Sequence, residues 1–360
     1  MKFCFWQNIV SIHQAPFLEA LAKKHEVVLR VEEQLIESRA KEGWNVPEIF
    51  GVSISGIPSG KELTTAFADK EIHHIFSGID AFPGVYRAFR CAVDSRSSIS
   101  VFLEPYVWND IKGVLRRCKY FLLHLRYGKA ISRLFTTGRN GERCYRRSGF
   151  PADRIYQWGY FTADGGPIPD NQTPNVRPSA IFVGSLDENK NILRLLDCML
   201  RHRNSFERFT IIGRGPLESL IRRQTESVPA ISFEGTRPND EVRRMIATHD
   251  FLILPSHYDG WGAVVNEALT AGTRVLCSDR CGAAVLIDDA GVRGRVFPLD
   301  KMEQAITEEL QREPLNIPQR REIAEWAHSH ISGEVAADYF ASCFTGSGNR
   351  PVAPWLKTTI

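Results

Sequence analysis

The stretch 251–279, FLILPSHYDGWGAVVNEALTAGTRVLCSD, restricts the fold more than any other part of the 360-residue chain. Phe251, Leu252, Ile253 and Leu254 form a short continuous apolar run, the pattern of a strand buried on both faces of a parallel sheet. Pro255 ends the run, and a loop with two glycines follows. From Ala263 the apolar residues Val264, Val265, Ala268 and Leu269 fall at helical spacing. Ala271-Gly272 predicts a helix C-cap, and 273–277 returns to the sheet. Strand, loop, helix, strand is the repeating unit of an α/β sheet, in which ligands bind beyond the carboxyl ends of the strands.

The same alternation runs through most of the chain. Strands are predicted at 2–6, 27–31, 73–76, 99–103, 134–136 and 155–158, with a helix over 16–24, while 32–70 is irregular. A segment rich in proline, glycine and polar residues, 164–179, reads as a linker. Beyond it strands are predicted at 180–183, 209–212, 231–233, 251–254, 274–277 and 295–297. The expected organisation is a domain over 1–163, a second over 180–340, and a tail over 341–360. Residues 318–344 are helical in pattern, with Ile323, Ala327, Ile331, Ala336 and Phe340 as packing positions.

With 43% apolar and 24% charged residues the chain is globular, and its length suits two domains. The eight cysteines include no CxxC pair, which argues against a zinc site or a disulfide framework. No apolar run approaches the ~18 residues of a membrane span. The opening MKFCFWQN turns polar at Gln7-Asn8, too early for a secretory signal, so a reduced, cytoplasmic protein is expected.

Asp259 and Glu267 bracket the glycine-bearing turn. Two readings stand for each: a helix cap or a ligand contact for Asp259, a solvated face or a ligand contact for Glu267. Gly260 and Gly262 let backbone approach a ligand closely, and a helix start favours an anion such as phosphate. The stretch resembles the signature of retaining glycosyltransferases of family 4, which have the GT-B fold. Their pattern has a strand ending in Pro-Ser, an acid, Gly-aromatic-Gly, and Glu eight residues after the acid. Pro255-Ser256, Asp259, Gly260-Trp261-Gly262 and Glu267 match it, with Asp and Trp where the family usually has Glu and Phe.

The resemblance implies two Rossmann-like, doubly wound domains with a cleft between them and a nucleoside diphosphate sugar as donor. It implies transfer, with retention, to a hydroxyl of a growing lipid-linked glycan. Glu267 would bind the donor ribose, and Lys190 with the backbone of Gly260, Trp261 and Gly262 would hold the diphosphate. Asp259 would contact sugar hydroxyls. Gly184 and Ser185 open the first turn of the second domain, where the family usually carries Gly-Arg; Arg214 and Arg237 are the candidates to supply that guanidinium. The turn Gly213-Arg214-Gly215-Pro216 and the segment from Phe233 to Arg237 also resemble the family. In the first domain His13 and Gln14 follow the first strand, and Glu104 follows the strand 99–103 where many members place a histidine. His13 and Gln14 are read as acceptor or phosphate contacts and Glu104 as a catalytic-side contact. No Asp-x-Asp triplet occurs, so neither a metal nor another cofactor is expected. A nucleotide-sugar epimerase of the same fold and a catalytically inert sugar-nucleotide-binding partner remain as alternatives.

Charge is concentrated at 111–154, which holds twelve Lys or Arg against Glu142 and Asp153. Apolar residues interleave with the cations, so the segment is amphipathic. It reads either as a solvated helix face or as a surface that meets anionic lipid on the inner face of a membrane. No nucleic-acid motif accompanies it.

Overall fold

The computed structural model describes residues 1–34, 46–108, 110–163, 165, 168, 176–287, 291–345 and 350–356. Two compact units divide the chain: one runs to Thr162 and resumes at Gly333, the other spans Ala163–Ser332. Most of the expected linker, 164–179, lies outside the described residues.

The first unit is built on β1 (Lys2–Gln7), β2 (Glu26–Val31), β3 (Ser53–Gly56), β4 (Ile72–Ser77), β5 (Ser98–Leu103), β6 (Ile131–Thr137) and β7 (Ile155–Trp158). They pair in the order β3-β2-β1-β4-β5-β6-β7, every pairing parallel. The crossovers carry α1 (Ala15–Ala22), α2 (Gly60–Thr65), α3 (Pro83–Asp94), α4 (Ile111–Tyr127) and α5 (Gly138–Arg147). β3 escaped the sequence reading because Ser-Ile-Ser-Gly has no apolar run and buries none of its four residues fully. Pairing with β2 at the sheet edge makes it a strand.

The second unit has β8 (Ala180–Val183), β9 (Phe209–Ile212), β10 (Ile231–Gly235), β11 (Phe251–Leu254), β12 (Arg274–Ser278) and β13 (Gly294–Phe297). Their order is β10-β9-β8-β11-β12-β13, again all parallel. This is the Rossmann order, with the direction of winding reversed between β8 and β11. Its helices are α6 (Ile192–Arg201), α7 (Glu218–Thr225), α8 (Asn239–Ala247), α9 (Val264–Thr270), α10 (Met302–Leu310) and α11 (Ile317–Ile331). All four residues of β11 are buried, as its unbroken apolar run requires. Two buried ion pairs tie the outer helices to this sheet. Arg274 on β12 meets Glu309 on α10 at 2.5 Å, and Arg320 on α11 meets Asp250 at 3.0 Å. Asp250 also accepts hydrogen bonds from Ser179 N and Leu315 N, so its buried charge is well satisfied.

The single helical pattern over 318–344 resolves into two helices that belong to different units. α11 stops at Ile331, and α12 (Gly333–Thr345) returns to the first unit ahead of the expected boundary at 341. The chain turns at Ser332, whose backbone is extended, and Gly333 then lets α12 approach α1 closely: a Cβ there would lie 2.4 Å from the carbonyl oxygen of Pro16, in the first turn of α1. Phe340 then enters an aromatic core, with ring centroids 5.3 Å from Phe3, 5.2 Å from Phe17, 5.1 Å from Phe135 and 5.6 Å from Trp158. Trp355 of the tail packs on Phe161 and Tyr339. No described helix is long and apolar enough to cross a membrane.

Phe340→Ala should therefore destabilise the first unit by about 3–5 kcal/mol, the cost of truncating a fully buried aromatic. Urea unfolding followed by tryptophan fluorescence measures it. A loss below about 1 kcal/mol would show that α12 is not part of that core.

Candidate functional site

In the second unit, the loops that follow β8 and β11 leave the sheet on either side of the point where the strand order reverses. They are joined by backbone and side chain. His257 N donates to the Asn189 carbonyl at 2.7 Å, and Asn189 Nδ2 donates to the Tyr258 carbonyl at 2.9 Å. Lys190 Nζ lies 2.5 Å from Asp259 Oδ2, both side chains being largely buried. Burial acts against the ammonium, but the charge and hydrogen bond of Asp259 outweigh it and hold Lys190 above its ordinary pKa. The two side chains expected to serve diphosphate and sugar separately are thus one ion pair.

The loop after β11 is held by close backbone approach. Gly262 has φ +91°, and a Cβ there would lie 2.7 Å from Cys281 Sγ and 2.9 Å from Leu254 Cδ2. Asp259 N donates to the Arg280 carbonyl, and Gly282 N donates to the Asp259 carbonyl, fastening this loop to the one after β12. The Trp261 indole is 1% exposed and donates to Asn266 Oδ1 at 2.8 Å. Its side chain anchors the loop, which leaves only the backbone of Trp261, with Gly260 and Gly262, to meet a ligand.

Glu267 lies in the first turn of the two-turn helix α9 and is buried, not solvated. Its Oε1 accepts from Asn239 Nδ2 at 3.0 Å. Burial raises its pKa, with the Asn239 bond and the Arg243 charge pulling the other way. Asn239, the first residue of α8, was missed by the sequence reading, because only the fold brings α8 beside α9.

Ser185 is exposed and donates to Asp187 Oδ2 at 2.7 Å. Asp187 in turn accepts from Lys190 N, so Ser185 supports the turn that presents the lysine. Gly184 N continues the ladder to the Ile212 carbonyl. Arg237 is committed to Glu234 at 2.7 Å and Glu241 at 3.7 Å. Arg214 is exposed, and its carbonyl accepts from Leu186 N, which places it on the loop beside 184–190.

A second cluster forms in the first unit at the carboxyl ends of β1, β5 and β7. The exposed carboxylate of Glu104 accepts from the Tyr160 hydroxyl, and the Tyr160 ring stacks on His13 with centroids 5.8 Å apart. Tyr145 donates to the Glu104 carbonyl at 2.6 Å. Tyr160 connects His13 to Glu104, and its only sequence signal was its place just beyond a predicted strand. Gln14 is buried and accepts from Gln7 Nε2, so it braces the loop from within. Among the described residues, Cys198, His202 and Glu303 bring ligand-type atoms within 4.8 Å of one another. Glu303 is engaged there by Arg201, and burial pushes the Cys198 thiol up to about 11, keeping it protonated at neutral pH.

The two-unit fold is that of GT-B glycosyltransferases. The crystal structure of Anabaena HepE in complex with UDP superposes with a TM-score of 0.69 at 12% identity, covering 96% of this chain and all of that one. The apo form of the lipopolysaccharide outer core galactosyltransferase WaaB gives 0.63 at 13% identity, with 96% and 99% coverage. Residues 177–312 match the model of the family described as glycosyl transferases group 1, so the second unit carries that family's sequence pattern. Similar curated proteins include an alpha-D-kanosaminyltransferase of Streptomyces kanamyceticus, 26% identical over 47% of this chain and 48% of that protein. Another is the putative teichuronic acid biosynthesis glycosyltransferase TuaC of Bacillus subtilis, 24% identical over 71% and 59%. The chain thus spans about half of the first relative's length and about three fifths of the second's.

A carboxyl whose folded pKa lies above its unfolded value gives stability that is full below the unfolded value and lost as pH rises through the folded one. Glu267 is such a group, with an ordinary value of 4.5. Glu267→Gln, which keeps the Asn239 acceptor and cannot ionise, should gain in melting temperature relative to wild type as pH rises from 4.5 to neutrality. Calorimetric scans across that range would refute the assignment if the gap stayed constant.

Proposed function

We propose that the chain is a retaining glycosyltransferase that moves a sugar from a nucleoside diphosphate sugar to a hydroxyl of a growing lipid-linked glycan. The observation that carries the reading is the Lys190–Asp259 pair, which joins the loops after β8 and β11, together with Glu267, buried in the helix that follows the second of these loops. It stands at the strand-order reversal where α/β sheets bind ligands, within the segment that matches glycosyl transferases group 1. Similarity to an alpha-D-kanosaminyltransferase, a putative teichuronic acid biosynthesis glycosyltransferase and an O-antigen chain mannosyltransferase supports the same chemistry.

In this reading Glu267, oriented by Asn239, accepts from the donor ribose. Lys190 turns from Asp259 to the diphosphate, and Asp259 is released toward sugar hydroxyls. The exchange leaves the second carboxylate next to the sugar only when a donor is bound. The acceptor oxygen attacks the anomeric carbon on the face the diphosphate leaves, the carbon–oxygen bond to the diphosphate breaks, and the acceptor proton passes to the departing phosphate oxygen. Protein donors meet the developing charge on the phosphate, an electrostatic and positional form of catalysis that needs no bound metal. Glu104, Tyr160 and His13 contribute acceptor contacts.

Titration calorimetry with UDP, GDP and ADP, with and without magnesium, tests the donor half. UDP comes first because Anabaena HepE is solved with it. One nucleotide should bind without metal, Lys190→Ala should weaken it about 10- to 100-fold, the worth of a charge-assisted hydrogen bond, and Glu267→Ala should weaken it further. Transfer to a glycolipid acceptor, followed by NMR of the anomeric proton, tests the rest. Binding of none of the three would overturn the donor assignment, and binding without turnover would move the inert-partner reading to the front. Donor turnover that ignores the acceptor would instead favour the epimerase.

A further inference from the structure

A helix packed on a sheet normally turns its apolar stripe inward. α4 does the opposite. Ile111, Val114, Leu115, Phe121, Leu122 and Leu125 are between 46% and 86% exposed. At 3.6 residues per turn they fall in one stripe roughly 120° wide, together with the exposed Cys118. Lys112, Lys119 and Arg126 border one side of the stripe and Arg117 the other.

The opposite face is fixed to the unit by different residues. Gly113 and Tyr127 are buried, and the Tyr120 ring stacks on Tyr106 at 5.3 Å and meets Tyr145 edge-on at 5.1 Å. Asp110 caps the helix, accepting from Gly113 N at 2.6 Å. The outward stripe is therefore not a packing error that rotation could relieve, since turning the helix would expose Tyr120 and Tyr127 and uncover Tyr106 and Tyr145.

Cations extend beyond the helix. The Arg117 guanidinium donates to the Arg147 carbonyl at 3.1 Å, joining α4 to α5. On α5, Arg143, Arg146 and Arg147 line with Glu142 a surface pocket of about 460 Å³. An apolar stripe with cations on both borders matches a bilayer interface, with side chains in the acyl boundary and cations at anionic head groups. A second copy of the same face fits poorly, because a two-fold contact sets each patch against itself and opposes like charges.

We propose that α4 lies in the interface of an anionic lipid bilayer, with the arginine-lined pocket of α5 against lipid phosphates. Exposed Glu104 opens the loop that ends at the α4 cap, so a membrane-seated α4 holds this cluster beside the lipid surface where a lipid-linked acceptor resides. The membrane contact stands whether or not the chain transfers sugar.

Flotation with vesicles, without donor or acceptor, tests it. Wild type should float with equimolar phosphatidylcholine and phosphatidylglycerol, less so as salt rises, and poorly with phosphatidylcholine alone. Leu115→Glu with Leu122→Glu should abolish flotation while circular dichroism stays native, since both side chains are exposed. Lys112→Glu with Arg126→Glu should weaken binding to the anionic vesicles about tenfold or more and flatten its salt dependence. Wild type that stays at the bottom with anionic vesicles at low salt overturns the proposal, as does a double leucine variant that floats normally. So does a dimer in light scattering that the leucine variant converts to monomer, which would make the stripe an interface between copies.

Discussion

Both units rest on one constraint: a parallel strand can be followed by another only through a crossover, and a sheet covered on both faces exposes only its edges. Every strand in a unit therefore ends at the same edge, and the segments released there become neighbours regardless of their separation along the chain. Lys190 and Asp259, 69 positions apart, meet because β8 and β11 are adjacent in the sheet. Glu104 and Tyr160 meet at the equivalent edge of the first unit, 56 positions apart.

What makes such an edge into a defined site is backbone contact between loops. In the second unit the loops after β8, β11 and β12 are tied by backbone hydrogen bonds through Asn189, His257, Asp259, Arg280 and Gly282, and Trp261 is locked from below. The Lys190–Asp259 pair then closes a largely buried region in which neither charge stands alone. In a preformed pair of this kind each buried charge satisfies the other, and removing either partner would leave the other uncompensated. Glu267 adds a buried carboxyl at the start of α9, poised against Asn239 rather than water.

The first unit shows how far helix patterning depends on context. α12 buries Phe340 in an aromatic core assembled from both ends of the chain, whereas α4 exposes its apolar stripe because aromatic stacking holds its other face. Both helices have the apolar content of an ordinary core element. Only their neighbours separate a side chain that stabilises the fold from one left for an outside surface.

Much of this was legible in the residues. The α/β class, the six strands of the second unit and the position of its glycine-bearing loop follow from short apolar runs, turn residues and helical spacing, which are local properties of the chain. The candidate residues Lys190 and Asp259 also stood out by their place in the loops after strand ends, and Glu267 by its place near the start of the helix that follows. Pairing decided the rest. β3 has no local signal, the pattern over 318–344 hides a change of unit at Gly333, and Asn239 and Tyr160 acquire partners only across elements. Spacing records which residues share a face, but not what that face will meet. Hence the sequence determined the elements and the types of side chain at their ends, while the tertiary structure decided which of those side chains touch, which are buried, and that the stripe of α4 points outward.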